Sequence, residues 1–523
     1  MQSRSRSQRG SSRAPGGTST TAAAPARAEP SRRPRGGCAM TPQRGALLSI
    51  DLGSTAVKVL IADAESGRPL ALTRRASGVA LSTTSGAVEQ DPNVWWEAIR
   101  SAVGEALTAA GPGIEILGIA ADGHGPTLVP VQEDGSAASA ALLWRDRRAA
   151  EDDAHLAALL SRSGWLLAEL PKARWFMRER AAAAKETAWL LSTWDALAFR
   201  LSGEAVASFW DPARSLSPSQ RALLLSEAGG LDERALPPEV FPGTRIGALR
   251  PQAASDLGLP IGIPIVSGTN DGMAAVIGAG LMHLARGVDV GGAAGGVGIS
   301  VERATAERIA TEVGGALWSG PAPASFGEIR IMGGALGGTG LLLDATIGEA
   351  IERRSDPATL IDSVAALPLG ADGVRVERNG EEMRFIGASD SRGDAHRVRA
   401  VMEYGALAVA ALLAPARAAG LPLSEMWLSG PATGATSGLY AAQLSVPRGI
   451  PQMRADLLGV PVVLPRIPEA AAAGSAALAG LGAGLYASLS EAAELIAVAE
   501  ERIEPNPGSA TVAASLLEQF RRV

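Results

Sequence analysis

Two short acidic segments carry side chains placed to do chemistry. Asp51 closes an apolar run, Ala46-Leu47-Leu48-Ser49-Ile50, and opens Asp51-Leu52-Gly53-Ser54-Thr55. Asp271 stands between Asn270 and Gly272 at the end of a second apolar run, Ile263 to Ser267. A glycine turn after a strand lets backbone N–H groups approach phosphate with no Cβ in the way. A carboxylate beside such a turn supplies the hard oxygen that magnesium prefers. A second carboxylate can accept the proton of an attacking hydroxyl. Phosphoryl transfer needs little else, because its catalysis is mostly positioning and charge neutralisation. Each motif also has a plain structural reading. The first is an ordinary strand-turn-strand hairpin, and Asp271 is the N-cap of a helix over Met273–Gly278.

The elements that must hold these groups alternate between strand and helix. Ala56 to Ala62 is a second strand after the glycine turn, and Glu65-Ser66-Gly67 a further turn. Asp91-Pro92 starts a helix whose apolar face repeats at Trp96, Ile99, Val103 and Leu107. Ile116 to Ala121 and Met426 to Ser429 are expected as strands, and His396 to Ala418 as a long helix. Gly287 to Gly292 with Val297 to Val301 is expected as a hairpin, so Asp289-Val290-Gly291-Gly292 echoes Asp51-Leu52-Gly53-Ser54. Such an echo fits a duplicated α/β fold with two halves facing one cleft.

Composition narrows the partners. The 523 residues carry a net charge of -6, but residues 1–44 hold nine arginines and a single acid, leaving the rest at -14. An acidic body argues against nucleic acid, whose phosphates require a basic surface. The one cysteine, Cys38, excludes an internal disulfide and a cluster built on thiolates, and is compatible with a reducing, cytoplasmic setting. Residues 1–44 lack an apolar signal core and are expected to be a disordered extension. The least polar stretch, Ala470–Leu489, is broken by four glycines and two serines, so no membrane span is expected there.

Taken in order, further segments resemble the FGGY carbohydrate kinases, particularly their xylulokinase-like branch, over nearly all of residues 45–508. They are the Asp51 loop, Glu89-Gln90-Asp91-Pro92 with Trp95-Trp96, and Leu143-Trp144-Arg145-Asp146 with Arg148. Gly268-Thr269-Asn270-Asp271-Gly272, Ser429-Gly430-Pro431-Ala432, Gln452 to Asp456 and Pro468-Glu469-Ala470 follow. The resemblance implies two actin-like (ribonuclease H-like) ATPase domains around a central cleft: a sugar-side domain over 45–281, a nucleotide-side domain over 282–508, and a helical tail over 509–523. It implies transfer of the γ-phosphoryl group of ATP, with Mg2+, to a hydroxyl of a small sugar or polyol, D-xylulose first and ribulose, ribitol or glycerol as alternatives. Asp271 is then the catalytic base and Asp51 supports the metal. Gly53, Ser54, Thr55, Gly292, Gly295, Gly430, Pro431 and Ala432 are implied at the nucleotide, with Gly333-Gly334 or Gly337-Gly338 beside it. Gly123, His124, Trp144, Asp146, Asn270 and Asp271 are implied at the sugar, and Glu403 is read as supporting structure. A homodimer is the default assembly.

Three departures from the family pattern stand out. Gly292-Ala293-Ala294 replaces a hydroxyl-bearing second phosphate loop, and loss of one such hydrogen bond costs about 1–3 kcal/mol. Val374 to Met383 does not match the family's usual segment there, and Thr433 to Gly449 is longer than usual. The first of these favours, as a rival, a non-catalytic sugar- or nucleotide-sensing protein of the same fold. An actin-like filament protein is a more distant one.

Overall fold

The computed structural model describes residues 44–522 except 83–85, 292–294, 316, 354, 380–381, 389–391 and 434–446. Two mixed sheets organise residues 44–522. The first is built from β1 (Arg44–Leu52), β2 (Ala56–Asp63), β3 (Pro69–Ala76), β4 (Ile114–Gly123), β5 (Arg245–Ala248) and β6 (Pro264–Asn270), in the order β5-β6-β4-β1-β2-β3. The second contains β7 (Arg286–Val290), β8 (Gly296–Glu302), β9 (Trp318–Pro321), β10 (Ile329–Ala335), β11 (Glu425–Ser429), β12 (Val462–Pro465) and β13 (Ala499–Ile503). Its order is β9-β10-β8-β7-β11-β12-β13.

The two orders share one pattern. In the first sheet β1 pairs antiparallel with β2, β2 antiparallel with β3, and β1 parallel with β4, which is parallel to β6. In the second, β7, β8, β10, β11 and β12 repeat those relations one for one. Each sheet then adds an antiparallel edge strand, β5 or β13, beside the last parallel strand. The echo between the Asp51 and Asp289 segments is therefore a duplicated topology, and the fold is the actin-like α/β architecture expected.

Local chemistry explains the helices that matter. In α1 (Pro92–Ala110), the Asp91 side chain accepts from the Asn93 N–H at 2.9 Å, and Trp95, Trp96, Ile99 and Val103 are buried against the first sheet. Helices α2 (Thr193–Ser202) and α3 (Asp271–Gly278) flank β6, and α4 (Asp394–Ala418) is the long helix of the second half. Among the described residues α4 is the one helix long and apolar enough to cross a membrane, and most of that stretch is buried within the fold.

The last of these, α5 (Ala470–Gly482), does not stay with its own half. Its Ser475 hydroxyl donates to Asp122 on β4 at 2.6 Å, and Ser49 on β1 donates to the Ala472 carbonyl at 2.7 Å. Against α3 it packs backbone to backbone: a Cβ on Gly278 would lie 1.9 Å from the Ala470 oxygen, and one on Gly474 1.9 Å from the Ala274 oxygen. A division of the chain at 281/282 thus leaves α5 on the far side of the boundary from the sheet it covers. The terminal helix, Ala510–Arg521, lies on α4, with Phe520 5.2 Å from the Tyr404 ring. Within Val374 to Met383, which departs from the family pattern, the strand Arg375–Asn379 pairs antiparallel with Glu382–Ile386.

Candidate active site

A cavity of about 800 Å³ opens between the two sheets and is lined from both, a size suited to small-molecule ligands. Strand register builds its floor. Asp51, last but one on β1, faces Lys58 across the antiparallel pair and Asp122 across the parallel one. The Lys58 ammonium lies 3.1 Å from Asp51 Oδ2, while Asp51 Oδ1 is buried with no partner. Burial disfavours the charge on Lys58, but the carboxylates of Asp51 and Glu469 outweigh it and hold the amine above the usual lysine range. Burial, with the Asp51 charge adding to it, pushes the Asp122 carboxyl well up despite the hydrogen bond from Ser475.

Asp271 owes its freedom to its neighbour. The Asn270 side chain caps α3 by accepting from the Met273 N–H at 2.9 Å, so the N-cap reading of Asp271 is displaced by one residue. Asp271 becomes the first helical residue, steadied by the Gly272 N–H donating to its Oδ1 at 2.8 Å, and it lines the cavity. The enclosing protein, and then the charge of Asp51, push its carboxyl up to about 7. A carboxylate tuned near neutrality, in a cleft, is suited to take a proton.

The other predicted residues divide. Gly53, Ser54, Thr55, Gly295, Gly430 and Pro431 all line the cavity. Gly295 (φ 64°) and Gly430 (φ 53°) both adopt the left-handed backbone that glycine tolerates best. Gly292 lies outside the described residues. Ala432 is not in the lining; its backbone is closely approached by Gly291. Gly337 and Gly338 are also outside it: the Gly337 carbonyl accepts from Arg378, and Gly338 begins the helix Thr339–Glu352, while Gly334, Ala335 and Asp344 line the wall instead.

On the other side, His124, Trp144, Asn270 and Asp271 line the cavity together. His124 is buried, with Nδ1 2.9 Å from the Thr127 hydroxyl, Nε2 unpartnered and its ring edge-on to Trp95 at 5.4 Å. Burial, with the nearby Lys58 charge, pulls its pKa to about 3, so the ring is a neutral hydrogen-bonding group rather than an acid. Gly123 is outside the lining, and any Cβ there would strike the Thr193 side chain. Asp146 is likewise absent: its carboxylate accepts from the Val88 N–H at 2.9 Å and from the Arg148 guanidinium, so it braces the loop behind Trp144. Glu403 is buried, paired with Arg399 at 2.8 Å and accepting from the Gly370 N–H, as the supporting role requires.

Several lining residues were not among the sequence candidates, and three of them carry charge beside Asp51: Lys58, Arg74 and Glu469. Arg74 on β3 pairs with Glu469, just before α5, at 3.4 Å and links the two halves of the chain. A signal existed for Lys58, one of three lysines in the chain and the residue that an antiparallel turn sets opposite Asp51. Glu469 stands in the Pro468-Glu469-Ala470 segment, but no signal existed for its pairing with Arg74, 395 positions away. Among the described residues no cluster of three or more His, Cys, Asp and Glu side chains could hold an ion unaided.

An actin-like pair of sheets around a carboxylate-lined, glycine-rimmed cleft is suited to ATP-dependent phosphoryl transfer, and comparison with known proteins makes the class specific. Residues 46–278 match the N-terminal domain of the FGGY family of carbohydrate kinases. A glycerol kinase from Thermus brockianus is 31% identical over 481 residues, 84% of this chain and 90% of the relative. An autoinducer-2 kinase from Yersinia pseudotuberculosis is 26% identical, covering 89% and 91%. Among solved structures, a xylulose kinase from Rhodospirillum rubrum superposes with a TM-score of 0.64 at 23% identity, covering 91% of this chain and 98% of the other. The chain belongs to the FGGY family of carbohydrate kinases and is a phosphotransferase with an alcohol group as acceptor.

Proposed function

We propose that the protein transfers the γ-phosphoryl group of ATP to a hydroxyl of a small neutral sugar or polyol held beside Asp271, with D-xylulose the leading acceptor. The observation that carries this reading is that Asp271, released from capping by Asn270, faces the same cavity as the Gly53–Thr55 turn and Lys58. In it, Asp271 takes the proton of the attacking hydroxyl, and His124 and Trp144 orient the acceptor. The amides and hydroxyls of Gly53, Ser54 and Thr55, with Lys58, hold phosphate oxygens, and Gly430 and Pro431 support the nucleotide. The division into a sugar side over 45–281 and a nucleotide side over 282–508 belongs to the same proposal, with α5 crossing between them.

The lining supports a magnesium ion as well. Five carboxylates (Asp51, Asp211, Asp271, Asp344, Glu469) face the cavity against two cations, Lys58 and Arg74, so a polyphosphate needs further positive charge. Asp51 Oδ1, buried and unpartnered, is a fitting hard oxygen donor, and phosphate oxygens and waters complete such a shell. The ion supplies charge neutralisation at the phosphates.

Glycerol is the second reading, favoured by the glycerol kinases at 31% identity. The test is release of ADP from Mg-ATP across ketoses, polyols and aldoses. One acceptor class should stimulate release, and Asp271→Ala should lower that turnover at least about 100-fold. Full turnover in the variant overturns the mechanism; release that no acceptor stimulates overturns the kinase assignment for those acceptors.

A further inference from the structure

The wall of the cavity on the Asp271 side is aromatic to a degree the composition does not predict. Aromatic residues make up only 4% of the chain, yet Trp144, Trp165, Phe209 and Trp210 all line this one cavity, and Trp318 lines it from the second sheet. Four of the ten tryptophans thus face a single site. Two of the rings are fixed from behind. The Arg214 guanidinium, itself outside the cavity lining, lies 4.9 Å from the centre of the Trp165 ring and 4.7 Å from that of Phe209. It is held in turn by Glu169 at 3.3 Å, while Arg162 donates to its backbone carbonyl at 2.9 Å. A cation stacked on both rings restrains them before any ligand arrives, which lowers the entropy lost on binding.

Resting on the kinase reading above, we infer that Trp165 and Phe209, restrained by Arg214, form a specificity wall that selects a neutral carbohydrate of five or more carbons over glycerol. Contact surface makes the selection. Aromatic faces offer an apolar area and few hydrogen bonds, so they reward an acceptor with an extended run of C–H groups. Glycerol, with three carbons, offers Trp144, Trp165 and Phe209 less C–H surface than a five- or six-carbon chain does. Charge sets the second criterion. The lining has more carboxylates than cations, and Lys58 and Arg74 are already paired with Asp51 and Glu469, so an acceptor bearing its own carboxylate meets repulsion.

The experiment compares kcat/KM for glycerol, erythritol, D-xylulose, xylitol, sorbitol and D-gluconate, with calorimetric binding of each acceptor measured alongside. The five- and six-carbon neutral acceptors should exceed glycerol by about tenfold or more, the scale of one good aromatic contact. Trp165→Ala should raise KM for the longer acceptors about tenfold, leave kcat within a few-fold, and so collapse the ratio to glycerol; Trp165→Phe should restore most of it. Glycerol equal to or better than the pentose and hexose compounds, gluconate accepted as well as they are, or Trp165→Ala lowering every acceptor alike would each overturn the inference. Binding of the longer acceptors that Trp165→Ala weakens, without turnover, would overturn the kinase reading while upholding this one. Neither binding nor turnover overturns both.

Discussion

Asp271 and His124 show how one cleft sets two ionisable groups apart. Both are drawn out of water, but burial acts in opposite directions on an acid and a base: Asp271 rises to about 7 and His124 falls to about 3. Only the deprotonated carboxylate can take a proton, so kcat/KM for the acceptor should climb as pH rises through about 7 and then level off. A pH–rate profile from 5 to 9 checks this, and His124 should add no inflection within that range. A profile flat across neutrality would show that Asp271 does not act as the base. The motif singled out Asp271 as a chemical candidate, but not why its side chain is left free of the helix cap. That depends on Asn270 taking the cap, a choice between adjacent side chains with nearly equal capping preference.

Helices α3 and α5 matter because the first residue of α3 is Asp271. Where they cross, Gly278 and Gly474 leave no room for a side chain. Helix propensity alone would make Gly474→Ala stabilising by about 1 kcal/mol. A Cβ 1.9 Å from the Ala274 oxygen forces the helices apart, so the variant should instead lose about 1–3 kcal/mol in urea unfolding. Its kcat should fall too, since any shift of α3 displaces the carboxylate. Unchanged or raised stability would show that the crossing yields without strain. Most elements were legible from apolar periodicity, glycine turns and the Asp-Pro helix start. The crossing was not, because Gly474 reads in sequence as an ordinary interruption of an alanine-rich helix.

Across the molecule, the duplicated sheets line one cavity from two walls, and on the proposed reading Asp271 is not among the groups that hold the nucleotide. Removing the base should therefore spare nucleotide binding. Asp271→Ala should melt close to the parent, and Mg-ATP at a hundredfold over its Kd should stabilise both proteins by about 2.7 kcal/mol. Thermal melts with and without nucleotide measure it; a variant that no longer responds would give Asp271 a structural role in the nucleotide wall. Closure of the two walls on a bound acceptor would exclude water that otherwise hydrolyses ATP, the usual gain from such a cleft.

Alone, the amino-acid sequence determined the α/β alternation and the Asp51 and Asp289 echo, and it singled out Asp271 and Asp51 as candidates. These follow from local patterns: apolar runs that must pair as strands, glycines that must turn, and carboxylates at strand ends. The tertiary structure alone decided which side chains face the cavity. It turned Asp146 toward Arg148, brought Arg74 to Glu469, gathered four scattered tryptophans around one site and laid α5 across the first sheet. Such contacts join positions up to hundreds of residues apart, and they depend on how completed elements pack, which no local pattern encodes.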